Sequence, residues 1–204
     1  MKRRAWERLA LDAIASLLSH PTSIRAGRLV REPVGPVLLS YAMDSSAFSS
    51  EDFYVNVSAV GLFAPQDPRE VLGLVERVGG GWTTLQGDEL GRACLERGEP
   101  FLDSCATLDG YAAHLLPTSG SPIDPNNGER LAAAYVLLGR TAEAASVARE
   151  VVDRWSTNEH DWVQELVQRV QAFSAALDAD GSEAVKAQLE RQIAANKALL
   201  GIAP

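Results

Sequence analysis

Phe53-Tyr54-Val55-Asn56-Val57-Ser58-Ala59-Val60-Gly61-Leu62-Phe63 is the stretch that decides the fold. Phe53, Val55, Val57 and Ala59 alternate with Tyr54, Asn56 and Ser58, the period of a strand with one face buried. A long strand needs neighbours, and the residues before it supply them. Gly27 precedes the short run Arg28-Leu29-Val30-Arg31, and Pro33, Gly35 and Pro36 mark a turn. Val37 to Met43 is a second apolar run, and Asp44-Ser45-Ser46 with Ser49-Ser50 forms a polar loop. Connections this short favour antiparallel pairing, because parallel strands need long crossovers. Upstream, Trp6, Leu9, Ala13, Ile14, Leu17 and Leu18 fall at helical spacing, so an amphipathic helix is predicted over 4–19 and stopped by His20-Pro21.

Downstream the signals become helical. Asp67-Pro68-Arg69-Glu70 reads as a capped helix start, with Val71, Leu74, Val75 and Val78 as its apolar face and Gly79-Gly80-Gly81 as its stop. Trp82 to Leu85 reads as a short fourth strand. Helices are predicted near 88–97, 100–105, 107–116, 128–138, 141–155, 159–178 and 182–200, with a Ser-, Gly-, Pro- and Asn-rich loop from Pro117 to Asn127. The expected fold is α+β: an N-terminal helix on a three- or four-stranded antiparallel sheet, then an all-helical C-terminal half. The loop divides the chain into an α+β domain over 1–116 and a helical subdomain over 128–204, packed on the first.

The 204 residues are 46% hydrophobic and 23% charged, enough to bury a core without disulfides or metal. Net charge is −8, shared as −2 over residues 1–100 and −6 over the rest. Such acidity disfavours nucleic acid and steers a basic partner inward. No run approaches the roughly 20 apolar residues that span a bilayer. Glu7, Arg8 and Asp12 interrupt any export segment. A cytoplasmic location is therefore expected, with no membrane partner. Cys94 and Cys105 read as two buried thiols.

Chemistry-bearing patterns are sparse. Gly79 to Thr84 invites comparison with a phosphate loop but lacks its lysine, so a stop and turn is the better reading. His20, His114 and His160 have no ligand partner at metal spacing on a shared helix face. No Gly-x-Ser-x-Gly elbow occurs. The basic group Lys2, Arg3, Arg4 and Arg8 reads as an ordinary charged helix face. Asp44, Glu51 and Asp52 cluster around the loop before the long strand and are the expected contact for a basic protein partner. The leading expectation is non-catalytic protein binding, in one version by an immunity or antitoxin-like protein, with no catalytic residue, cofactor or metal. The alternatives are an enzyme assembled by folding from Cys94 or Cys105, His114 and the Asp88-Glu89 carboxylates, or a structural homodimer. The homodimer would use the C-terminal helices, where Val163, Leu166, Val170, Phe173 and Leu177 face Val185, Leu189 and Ile193.

Two resemblances accompany this reading. Arg25-Ala26-Gly27-Arg28-Leu29-Val30-Arg31, Phe53 to Val57, Gly61-Leu62-Phe63-Ala64-Pro65, Trp82 and Pro100-Phe101-Leu102 resemble bacterial domain-of-unknown-function family 4304 over residues 25–105. Val37 to Met43 departs from that family's glutamine-containing strand. The resemblance implies an α+β fold with a helix packed on an antiparallel sheet, and no established enzymatic activity. Within 128–155, Tyr135, Leu138-Gly139-Arg140 and Glu143-Ala144 resemble a single tetratricopeptide-like helical hairpin. One unit cannot make a solenoid, so it implies a hairpin docked on the rest of the chain.

Overall fold

The computed structural model describes residues 3–45, 52–70, 73–83, 86–118 and 121–202. The fold is α+β, with a five-stranded antiparallel sheet in the order β1-β2-β3-β4-β5. Its strands are β1 (Thr22–Arg25), β2 (Arg28–Arg31), β3 (Val37–Ser45), β4 (Phe53–Gly61) and β5 (Leu74–Arg77). The N-terminal helix α1 (Arg3–Leu9) continues through a π turn at Ala10–Ile14 and a 3-10 turn at Ala15–Leu17. The helical remainder comprises α2 (Gly87–Ala93), α3 (Glu99–Ser104), α4 (Leu108–Leu115), α5 (Pro125–Leu137), α6 (Thr141–Trp155), α7 (Asp161–Asp180) and α8 (Ser182–Leu199).

The sheet is built on the β3–β4 hairpin, whose register runs from Val37↔Gly61 to Ser45↔Phe53. Alternation along these strands makes two faces. Leu39, Tyr41, Val55, Val57 and Ala59 point into the main core with Trp6 and Ile14 of the N-terminal helix and with Leu90, Leu102 and Tyr111. Val30, Leu38 and Val60 point the other way, into a smaller core closed by Leu200, Ile193 and Ile202 at the end of the chain. Asn196 of α8 is buried there and donates through Nδ2 to the carbonyls of Leu62 (2.7 Å) and Ala64 (3.1 Å). Those carbonyls leave β4 with no strand partner, so the amide satisfies groups that burial would otherwise penalise. The same bonds tie the last helix to the chain just beyond β4. Polar residues in the sheet are treated likewise: Ser40 and Ser58, opposite each other, share a 2.8 Å hydrogen bond.

Two expectations about the sheet are corrected. It has five strands rather than three or four, because Thr22–Arg25 pairs with Arg28–Arg31 and Leu74–Arg77 pairs with β4. The helix expected from Asp67 is a turn followed by β5. Asp67 does cap, accepting from the Arg69 amide at 2.9 Å, but Gly73 then takes a left-handed backbone with φ +67°. A Cβ on Gly73 would lie 2.3 Å from the Ala59 carbonyl oxygen. The chain passes so close to β4 that ladder pairing replaces the local helix signal. The predicted strand at Trp82 reduces to one bridge, Phe53↔Trp82; Thr84 and Leu85 lie outside the described residues.

The helical half follows its sequence cues closely. Asp124 caps α5 by accepting from the amides of Asn126 (3.0 Å) and Asn127 (3.1 Å), with Pro125 in the first turn. Small residues let α5 and α6 approach: Ala132, Ala144 and Ala148 are buried, and a Cβ on Gly128 would lie 2.3 Å from a Val151 methyl. Gly139 ends α5 with φ +74°. Leu131, Val151, Leu166, Val170 and Leu189 join the same core as the sheet residues. Among the described residues no helix is long and apolar enough to cross a membrane.

Candidate functional site

The acidic residues singled out in the sequence sit at the open end of the β3–β4 hairpin. Asp44 is exposed opposite Tyr54, and Asp52 immediately precedes β4. Glu51 lies outside the described residues. The hairpin end is held firmly: Phe53 and Trp82 exchange backbone hydrogen bonds of 2.9 and 2.7 Å, and Phe53 packs edge-on against Trp6. The surroundings carry both signs, since Arg77 stacks on the Tyr54 ring at 4.2 Å. The glycine run beside Asp52 terminates β5, not a helix. Gly79 leaves room for the Trp82 indole, whose Nε1–H donates to the Val78 carbonyl at 2.7 Å.

The thiol candidates are committed to the core. Cys94 and Cys105 are both fully buried and unbridged. Burial, reinforced by the Glu99 carboxylate, pushes the Cys94 thiol up to about 12. Burial also raises Cys105. A thiol held neutral is a poor nucleophile. His114 reaches Ser104, not Cys105: Nε2 lies 2.7 Å from Ser104 Oγ. That hydroxyl also lies 2.7 Å from the Phe101 carbonyl, to which it can donate. Asp88 and Glu89 are exposed in the first turn of α2, where carboxylates suit the helix dipole.

A polar network that the sequence did not reveal lies beneath the sheet. Arg31 ends β2 on the main-core face. Its Nη1 donates to Asp103 at 2.6 Å and lies 3.9 Å from Glu99, while its Nη2 donates to His20 Nε2 at 2.6 Å. Glu99 is only 7% exposed and accepts a 2.8 Å hydrogen bond from the Tyr41 hydroxyl. Burial and this carboxylate raise the Tyr41 phenol well above its ordinary range. His20, Glu99 and Asp103 bring ligand atoms within 4.8 Å of one another, a spacing that could hold a cation. Arg31 already supplies the positive charge to all three, so the donor set does not fit a metal. Glu99 and Asp103 are one turn apart on α3, but Arg31 comes from β2, Tyr41 from β3 and His20 from the bend before β1, so no single local pattern gathers them.

A concave site forms elsewhere, between α5, α7, α8 and the segment Phe63–Pro65. The cleft measures about 300 Å³. Phe63, Ala133, Phe173, Val185 and Leu189 supply apolar wall. It exists because α5 and α7 present alanines here (Ala132, Ala133, Ala172, Ala176), which fill less space than the Leu and Val used deeper in the core. Polar groups line it as well. Arg169 of α7 forms a fork with Glu129 of α5, at 2.7 and 3.0 Å, which raises the guanidinium further. Arg130 donates to Gln66 Oε1 at 3.3 Å. Gln188 and Gln192 are one turn apart on α8. In the sequence, Phe173, Val185 and Leu189 were legible only as part of an amphipathic helix face, and Phe63 only as the end of the strand stretch.

A scan of protein-family models finds none that matches, and searches of curated proteins and of solved structures return no match either.

Proposed function

We propose that this is a non-catalytic binding protein and that the cleft between α5, α7 and α8 is its binding site. The observation that carries this reading is the cleft itself: a preformed concavity with apolar walls and a few polar groups, the usual make-up of a ligand site. The full burial of both thiols adds support. The test is a neutral, environment-sensitive dye such as Nile red, titrated into the protein and into Ala172→Trp. Ala172 is exposed and lines the cleft, so the indole fills it without entering the core. Bright, blue-shifted emission that weakens about tenfold in affinity in the variant supports the site. Equal binding to both proteins removes it.

A second reading, an immunity or antitoxin-like protein for a basic partner, rests on Asp44, exposed near the end of β3, and Asp52, immediately before β4, flanking the same hairpin end. Charge steering would make such binding fast and salt-sensitive. Reversing Asp44, Glu51 and Asp52 to lysine should then abolish capture of a stoichiometric basic protein at low salt. Capture that survives the triple reversal contradicts this reading.

A further inference from the structure

The two arginines at the cleft are not equivalent. Arg169 has its carboxylate in Glu129, in a two-bond fork. Arg130, the next residue along α5 after Glu129, is half-buried and, among the described residues, donates to the neutral amide oxygen of Gln66 at 3.3 Å. Among the described residues, no carboxylate lies within ion-pair distance of Arg130. A guanidinium beside apolar wall, partly withdrawn from water, is best completed by a carboxylate accepting two parallel N–H bonds.

We propose that the cleft takes a small amphipathic monocarboxylate, an apolar chain or ring whose one carboxylate pairs with Arg130; this rests on the cleft being the binding site. Three further observations narrow the ligand. A volume of about 300 Å³ is at the small end for ligand pockets and suits one small molecule, whereas a docked helix is roughly 10 Å across. The walls reward an apolar body through burial, at about 25 cal/mol per Å² removed from water. The chain's net charge of −8 repels multiply charged anions more than a single carboxylate. Gln188 and Gln192 add amide donors that can meet a carboxylate oxygen or a polar substituent.

The test is calorimetric titration of the full chain with octanoate and with octanamide, which share an apolar chain and differ in charge. Octanoate is expected to bind about tenfold tighter or more. Arg130→Met should erase that preference, Arg130→Lys should keep part of it, and Ala172→Trp should weaken both ligands. Equal affinity for the two probes, or a preference that persists in Arg130→Met, overturns the carboxylate assignment and leaves an apolar cleft. Failure of both probes to bind overturns the cleft as the site. Far-UV circular dichroism on each variant establishes that the comparison is between folded proteins.

Discussion

The network beneath the sheet and the cleft between the helices are built on opposite principles. In the first, His20, Arg31, Tyr41, Glu99 and Asp103 satisfy one another, and the titratable groups are consumed by holding the bend before β1, β2, β3 and α3 together. In the second, apolar surface is left unfilled and Arg130 has no carboxylate within ion-pair distance among the described residues. The lesson is that reactive residue types need not mark the functional place. A carboxylate or thiol with all its partners inside the protein stabilises the fold, while binding capacity collects where partners are missing.

That contrast can be broken or sharpened by experiment. The largest effect is expected in the core under the hairpin. Phe53→Ala removes a fully buried ring that packs on Trp6 and should cost about 3–5 kcal/mol in urea unfolding. Phe173→Ala, at the half-buried cleft wall, should cost clearly less. Equal losses would mean that the cleft wall is packed as tightly as the core. Next comes Tyr41→Phe, which deprives the buried Glu99 carboxylate of its hydroxyl donor. A loss of about 1–3 kcal/mol is expected, and a change near zero would show that the network is not structural.

A pH effect follows from the same region. Cys94 is raised from an ordinary value of 9.0 to about 12, and Tyr41 and Tyr111 are raised too. An acid whose folded value is raised stabilises the fold fully below its unfolded value and loses that contribution as pH climbs towards the folded one. For Cys94 the window is therefore about pH 9 to 12. Stability should fall there, by at most about 1.4 kcal/mol per pH unit for each group, and Cys94→Ala should flatten part of the slope. A profile level through this window, in protein and variant alike, contradicts the assignment. In the native state at pH 8 neither thiol should react with iodoacetamide. The smallest stability effect is expected for Ala172→Trp, within about 0.5 kcal/mol. A large loss there would mean that the cleft is not open to receive an indole.

The sequence made some elements plain and hid others, and the physics separates them. The alternation in β4 and the heptad-like spacing in α7 are repeated local patterns, so each could be read in isolation. Residues 67–78 could not, because Asp67, Pro68 and Glu70 carry a true local cap signal that pairing with Asn56–Ala59 overrides. β1 was missed because Thr22–Arg25 is short and has no apolar alternation of its own; its evidence is its partner, Arg28–Arg31. The site was less legible still. Asp44 and Asp52 do share one hairpin end, as their sequence proximity suggests. Ser104 comes between Cys105 and His114 by helix geometry that spacing alone did not expose. The cleft is defined by volume that alanines do not fill and by an Arg130 with no carboxylate nearby among the described residues, and neither property belongs to any residue taken alone.

The central claim is tested most directly by methyl-resolved NMR of the full chain titrated with octanoate. The account predicts shifts confined to the methyls of Ala133, Val170, Ala172, Ala176 and Leu189, with those of Val55 and Val57 in the sheet core unmoved. No shifts at the cleft methyls, or larger shifts in the sheet core, would contradict it.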